Sequence, residues 1–124
     1  MEATIIGREA DPRVTLVVNP LAAILESFAQ LERDVSTLAE LKGYSNDPLA
    51  KGSSKVQYLS NTGVISRNTL KALDILFNVR NQAVHFGAGI DSESARKYLD
   101  MVQSQRQRLQ EVKERLPAFY TRAN

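Results

Sequence analysis

The amino-acid sequence predicts an all-α protein, an antiparallel bundle of four to five helices with a short extended N-terminal arm. Three observations lead to this prediction. Apolar residues recur at spacings of three and four over long stretches, and residues that begin or end helices stand at the borders of those stretches. The 124 residues also include only six Gly and four Pro, with 43% hydrophobic and 24% charged residues, which is typical of one globular domain. We divide the chain into an arm or tether over residues 1–18, a bundle over 19–116 and a tail over 117–124.

The N-terminal arm is predicted to be extended because its apolar residues are β-prone. Residues 4–6 form one such segment and residues 14–18 form another, on either side of the turn-forming pair Asp11-Pro12. Three interpretations fit this pattern: a small hairpin, an arm that lies on a partner, or a tether. All three stay open at this point.

The first long helix is predicted over residues 20–42. Asn19 is an N-cap residue, Pro20 suits the first helical position, and Gly43 is a typical stop. One apolar stripe recurs between them at helical spacing: Leu21, Ile24, Leu25, Phe28, Leu31, Val35 and Leu38. Burying a stripe of this size contributes roughly 10–20 kcal/mol before the loss of chain entropy is subtracted. This helix therefore needs a large partner surface.

The region after the first long helix contains a loop and a short helix. Residues 43–53 combine turn-forming residues and are predicted to be a loop with room for one helical turn. The short helix is predicted over residues 54–60, with Val56 and Leu59 facing inward, and the sequence at 61–63 ends it.

Two further helices complete the predicted bundle. Ser66 caps the first, which ends at Gly87. Its predicted buried residues are Leu70, Leu73, Leu76, Phe77 and Val84. The second starts after Asp91 and runs to Leu116, where Pro117 stops it. Its predicted buried stripe is Ala95, Tyr98, Leu99, Val102, Leu109, Val112 and Leu116.

The composition excludes several classes of protein and of site. Because the chain has no Cys, disulfides and thiolate-based catalytic or zinc sites are excluded, and a reducing compartment fits. The candidate apolar stretch over residues 14–18 includes Thr15 and is far shorter than a membrane span. The first residues lack the basic start and long apolar stretch of a secretory signal. We therefore expect a cytoplasmic location and no membrane span.

The sequence also gives no reason to expect a cofactor or a metal. Residues 87–89, Gly-Ala-Gly, follow a predicted helix and lack the third glycine of a dinucleotide-binding turn. The chain has one His, and no acidic cluster lies on one helix face, so neither a catalytic zinc site nor a di-metal centre is indicated.

Charge is distributed unevenly along the chain, although the formal net charge is only +2. Residues 1–50 carry four Lys or Arg and eight Asp or Glu, a formal charge of −4. Residues 51–95 carry five and three, which gives +2, and residues 96–124 carry seven and three, which gives +4. Basic stretches of this size are more typical of solvated helix faces than of phosphate-binding surfaces. The charge therefore permits RNA binding without requiring it.

The segment with candidate chemistry is residues 76–87, which holds the only histidine of the chain. Asn81 and His85 lie four residues apart and share a helix face, whereas Arg80 lies about 140° around the helix from His85. The long Arg side chain partly closes that gap. These residue types suit a phosphodiester: Arg grips the phosphate oxygens, Asn donates a hydrogen bond, and His transfers protons near neutral pH. RNA supplies its own attacking hydroxyl, so no second titratable group is required.

The same residues also suit a purely structural role. A His just before a helix-ending Gly is often a C-terminal cap, favoured by the helix dipole when it is charged, and Arg80 fits the same role. That dipole opposes anion binding, so a phosphate there needs Arg80 and groups from elsewhere. Asn81 equally suits a buried polar position where backbone groups of another helix satisfy the amide.

The string Arg80-Asn81-Gln82-Ala83-Val84-His85 resembles the R-x4-6-H motif of the HEPN superfamily (higher eukaryote and prokaryote nucleotide-binding domains), in which Asn commonly follows the Arg. The surroundings are similar too. A long first helix opens on Asn-Pro, a Gly-Val-Ile-Ser segment leads into the motif helix, and a long amphipathic helix follows it. The resemblance covers residues 19–116.

This resemblance implies a bundle of four or five helices that forms a homodimer and brings two copies of the motif to one cleft. Active members are metal-independent endoribonucleases, often in toxin–antitoxin, antiviral or RNA-processing systems. By the resemblance, His85 would transfer the proton, Arg80 would clamp the phosphate in the transition state, and Asn81 would be a polar helper. Other members are non-catalytic nucleotide- or protein-binding accessory modules. The expected partners are accordingly a second copy of the chain, RNA, and an antitoxin or other protein.

Overall fold

The computed structural model describes residues 11–44, 52–87 and 89–116. These residues contain no strand and form five α-helices: α1 Pro12–Val18, α2 Pro20–Leu41, α3 Gly52–Asn61, α4 Arg67–Phe86 and α5 Ser92–Arg115. The all-α class is thus confirmed for the described residues, while an antiparallel, HEPN-like arrangement stays a prediction. The first ten residues of the predicted arm, the predicted tail and most of the predicted loop over 43–53 lie outside the described residues.

Residues 12–18 form helix α1, so the extended conformation predicted for this part of the arm is wrong. Asp11 is an N-cap, because its side chain accepts a 3.0 Å hydrogen bond from the backbone N–H of Arg13, and Pro12 occupies the first turn. The pair interpreted as a turn is therefore a helix start. The β-branched residues disfavour a helix only weakly. Packing against α2 and α5, with Leu16 against the core, decides the conformation.

Helix α2 is central, because it packs against each of the other four helices. It begins as predicted, with Asn19 Oδ1 accepting a 3.1 Å hydrogen bond from the backbone N–H of Ala22. It ends before Gly43, whose φ of +105° favours glycine. Leu21 of the predicted stripe is half-buried and Leu25 is 36% exposed. The other stripe residues are buried: Ile24, Phe28, Leu31, Val35 and Leu38.

Helices α3, α4 and α5 bury most of the predicted residues. The buried ones are Val56, Leu59, Leu73, Leu76, Ala95, Tyr98, Leu99, Val102, Leu109 and Val112, and the partly buried ones are Leu70, Phe77 and Leu116. Val84 was predicted to be buried but is 52% exposed, so that prediction is wrong. Ala83, one residue earlier and about 100° around the helix, faces the core instead.

The end of α4 fits tightly against the start of α2. Gly87 caps α4 with a right-handed backbone, and a Cβ at this position would lie 2.5 Å from the Ala83 carbonyl oxygen and 2.7 Å from a methyl carbon of Leu21. A side chain at position 87 would therefore collide with the preceding turn and with Leu21, so glycine is the residue that fits here. This contact places the last turn of α4, which carries the candidate motif, beside the first turn of α2.

A polar cluster links α2 to α5. Arg106 of α5 donates from Nε to Asp34 Oδ2 at 2.6 Å and from Nη1 to Gln30 Oε1 at 2.8 Å. The Arg106 and Asp34 side chains are only 25% and 29% exposed, so the ion pair is partly shielded from water. On the surface, Arg13 of α1 and Asp100 of α5 form a 2.6 Å ion pair that is far more exposed.

None of the helices in residues 11–44, 52–87 and 89–116 is long and apolar enough to cross a membrane.

Candidate functional site

The candidate site is carried by the second half of α4, whose orientation is set by its cap and its buried residues. Ser66 Oγ accepts a 3.1 Å hydrogen bond from the backbone N–H of Thr69 and so caps the helix, as predicted. Leu73 and Leu76 are fully buried, and the helix cannot rotate without exposing them. This orientation turns Arg80 toward α2, while Asn81 and His85 face solvent.

Arg80 is half-buried and is held in place by two contacts. Its guanidinium carbon lies 5.1 Å from the centre of the Phe28 ring, over the ring face, and its Nη1 donates a 3.1 Å hydrogen bond to Asn81 Oδ1. Phe28 in turn packs edge-to-face on Phe77, with ring centres 4.8 Å apart. A cation over an aromatic ring contributes roughly 0.5–2 kcal/mol, depending on its exposure. The guanidinium is therefore positioned by an aromatic pair rather than by a carboxylate.

One nitrogen of this guanidinium is left without a partner. Arg80 Nε is inaccessible to water and makes no hydrogen bond to any described residue. An unsatisfied buried donor costs about 1–3 kcal/mol. Because water does not reach Nε, this donor is not open to a ligand in the folded subunit.

Asn81 is exposed and contacts Arg80, so the interpretation as a buried amide satisfied by another helix is wrong. Its Oδ1 accepts from Arg80, which turns the amide NH2 group, the donor end, away from the guanidinium. An amide in this position can hold the guanidinium and donate to a ligand.

His85 is exposed in the last turn of α4. It lies about 140° around the helix from Arg80, as expected from the spacing. It does not line the cleft that contains Arg80 and Asn81. Within one subunit the structure thus brings Arg80 and Asn81 together and leaves His85 on a neighbouring surface.

Arg80 and Asn81 line an open cleft of about 560 Å³ between α2, α3 and α4. The lining residues are Phe28, Glu32, Ser53, Asp74, Phe77, Asn78, Arg80 and Asn81. Three of these carry charge, and the two carboxylates outnumber the single guanidinium. Arg67 and Lys71, the other bases of the motif helix, do not line the cleft.

Tyr98 of α5 is a buried neighbour of this cleft. Its hydroxyl donates a 2.9 Å hydrogen bond to the carbonyl oxygen of Leu76, which joins α5 to α4. Burial raises the pKa of Tyr98 well above its ordinary value, the positive charge of Arg80 opposes that rise, and the negative charge of Glu32 adds to it. Arg80 and Glu32, which both line the cleft, therefore both influence the pKa of the Tyr98 phenol.

Glu32, Asp74 and Tyr98 are residues of this region that the sequence interpretation did not assign to a site. The sequence spacing could have indicated that Glu32 lies beside Phe28, because the two residues are one turn apart on the same face of α2. Asp74 and Asn78 are likewise one turn apart on α4. Their convergence with Arg80 depends on how α2 and α4 pack.

Within the described residues, no group of three or more His, Cys, Asp or Glu side chains could hold a metal ion.

Comparisons of the chain with protein-family models, with curated proteins and with solved structures found no match.

Proposed function

We propose that this chain is a metal-independent endoribonuclease of the HEPN type that acts as a homodimer. Arg80, Asn81 and His85 are its catalytic residues, and they act at a cleft shared by two subunits. A toxin–antitoxin or defence system, with an antitoxin or other protein as partner, is the biological setting that the motif favours. The observation that carries the proposal is the Arg80 guanidinium, which Phe28 and Asn81 hold at an open cleft.

The proposed chemistry needs only the groups of the motif and the RNA. The ribose 2′-hydroxyl attacks the adjacent phosphorus, the bond from phosphorus to the 5′-oxygen breaks, and a 2′,3′-cyclic phosphate and a 5′-hydroxyl result. His85 transfers the proton that leaves the 2′-hydroxyl or reaches the departing 5′-oxygen. Arg80 stabilises the negative charge on the phosphoryl oxygens, and Asn81 donates a hydrogen bond to them.

A second subunit is part of the proposal because one subunit does not place His85 in the Arg80 cleft. The outer face of α4 supports pairing with a copy. Ile75 and Val79, one turn apart on that face, are 51% and 37% exposed. Burying such side chains against a second copy is favourable by about 1–2 kcal/mol each. A two-fold axis at this face brings the α4 helices of both subunits together, and the proposal pairs Arg80 of one subunit with His85 of the other.

The test is cleavage of a labelled RNA by the purified protein and by the variant His85→Ala. We expect the variant to lose cleavage while its helical circular dichroism is unchanged, and we expect EDTA to leave the wild-type rate unchanged. Gln107→Ala, an exposed substitution on α5, is the matched control and keeps full activity. Equal cleavage by His85→Ala and wild type contradicts the proposal.

A second candidate function is a non-catalytic nucleotide- or protein-binding module in which the motif is structural. It is favoured by the packing of Arg80 on Phe28 and by the two carboxylates in the cleft, which oppose the approach of a polyanion. On this account His85 caps α4, so His85→Ala lowers the melting temperature and wild-type protein cleaves no RNA. An unchanged melting temperature counts against this second function.

A further inference from the structure

The Arg80 cleft contains two carboxylates that the proposed chemistry does not use. Glu32 of α2 is half-buried and Asp74 of α4 is exposed, and both line the cleft beside Arg80 and Asn81. Neither carboxylate forms a hydrogen bond or an ion pair with a described residue. They therefore keep all their hydrogen-bond acceptor capacity.

These carboxylates are close enough to Arg80 to act on the same ligand. Glu32, Asp74 and Arg80 line the same cleft of about 560 Å³, which is small enough for one nucleotide to meet all three side chains. Glu32 follows Phe28 by one helical turn, and Phe28 is the ring that Arg80 covers. A ligand whose phosphate contacts Arg80 therefore has another of its parts beside Glu32.

The negative charge of Glu32 and Asp74 determines which part of a ligand can lie beside them. A carboxylate repels phosphate, so Glu32 and Asp74 must face a part of the RNA that donates hydrogen bonds. Among the bases, adenine and cytosine offer an exocyclic amino group, and guanine offers an amino group and a ring N–H. Uracil offers one ring N–H between two carbonyl oxygens, and a carboxylate that approaches this edge also meets negative oxygen.

We propose that Glu32, assisted by Asp74, selects the base of the nucleotide whose 2′-hydroxyl attacks, and favours amino-bearing bases over uracil. This inference rests on the proposed ribonuclease function and gives the acidic side of the cleft a role in specificity. Glu32 contacts the base rather than the reacting atoms, so it is a specificity-determining residue.

The experiment uses the purified full chain and a pool of RNA of random sequence. Sequencing the 3′ ends of the products identifies the nucleotide that supplied the attacking hydroxyl at each cut. For wild type we expect uridine at this position about tenfold less often than the mean of the other three, since a good contact to a base edge gives discrimination of this order. Glu32→Gln replaces the carboxylate with an amide that also donates, so uracil becomes acceptable and the preference falls below about twofold.

Two further variants make the result specific. Asp74→Asn, at an exposed position where folding is not at risk, lowers the preference by a smaller factor. Glu111→Gln removes one negative charge from an exposed position of α5 outside the cleft and leaves the preference as in wild type.

Each outcome decides the inference. Equal use of all four bases by wild type overturns it and leaves the ribonuclease proposal standing. A wild-type uridine deficit that persists in both Glu32→Gln and Asp74→Asn overturns the role of the carboxylates. Absence of any cleavage by wild type overturns the proposed function, and this inference with it.

Discussion

Two arginines contact α2 from different helices, and their surroundings differ. Arg106 of α5 directs three nitrogens to Asp34 and Gln30, at 2.6, 2.8 and 3.4 Å. Arg80 of α4 donates to its neighbour Asn81, and its Nε has no partner among the described residues. The first guanidinium is bound by a carboxylate and an amide inside the fold, whereas the second lines an open cleft and has no carboxylate partner among the described residues.

This difference separates a structural arginine from a candidate functional one. A guanidinium that is saturated by a carboxylate and an amide joins two helices, and its removal leaves a partly buried charge without its partner. A guanidinium that rests on a ring is held at low electrostatic cost and still binds an anion. If this difference holds, substitution of Arg80 affects activity and substitution of Arg106 affects stability. The expected effects are given below from the largest to the smallest.

Substitution of Arg80 has the largest expected effect, and the effect is on activity. Arg80→Ala lowers kcat/KM for RNA cleavage by at least about 100-fold, because it removes the group that stabilises the phosphoryl charge. The measurement is initial rates on a labelled RNA. Arg108→Ala on the exposed face of α5 serves as the control for a general loss of positive charge. A rate for Arg80→Ala equal to wild type removes Arg80 from the chemistry.

Substitution of Arg106 should instead act on stability. Arg106→Ala lowers the free energy of unfolding by about 2–3 kcal/mol, since it leaves Asp34 and Gln30 without their donor. Arg80→Ala costs about 1 kcal/mol, the value of its ring contact. Urea unfolding followed by circular dichroism measures both. If Arg80→Ala proves the more destabilising of the two, Arg80 is a structural residue and the contrast is reversed.

Tyr98 gives a pH-dependent test of the packing behind the cleft. Its pKa is raised above 10.0 in the folded state, so between pH 10 and the folded value the unfolded chain binds fewer protons. The free energy of unfolding therefore decreases as the pH rises above about 10. Tyr98→Phe lowers the stability at neutral pH by about 1 kcal/mol, because the hydrogen bond from the hydroxyl to the Leu76 carbonyl is lost, and it makes the alkaline decrease shallower. Urea unfolding at neutral and alkaline pH checks this, and identical pH slopes would contradict it.

The exposed ion pair between Arg13 and Asp100 should contribute least. Asp100→Asn lowers the free energy of unfolding by less than about 1 kcal/mol, because both side chains are well hydrated, and high salt removes the difference. Comparison of urea midpoints at low and high salt measures it. A larger, salt-insensitive loss would place this pair in the same class as Arg106.

The sequence predicted most of the long helices because their signals are local. Asn19, Ser66 and Asp91 cap as expected, and the apolar stripes of α2 and α5 are buried almost throughout. The predictions that proved wrong concern residues whose conformation or burial depends on contacts between helices. Helix α1 forms from a β-prone segment because Leu16 packs on the core, and Val84 is exposed because α4 is rotated to bury Ala83.

The candidate site was predictable only in part. The residue types and the spacing of Arg80, Asn81 and His85 identify the chemistry that these groups can perform, and helical geometry places Arg80 and His85 on different faces. The aromatic support from Phe28 and the carboxylate of Glu32 come from α2, some fifty residues earlier in the chain. Contacts of that range depend on helix packing, which periodicity does not specify.

The central claim is that Arg80 and His85 of different subunits act together on RNA, and co-purified heterodimers test it most directly. Arg80→Ala and His85→Ala chains carry different affinity tags, are expressed together and are purified through both tags. Each variant alone is inactive. The heterodimer retains one intersubunit Arg80–His85 pair out of two, so the account predicts recovery of about half the wild-type cleavage rate. A heterodimer as inactive as either parent would contradict it.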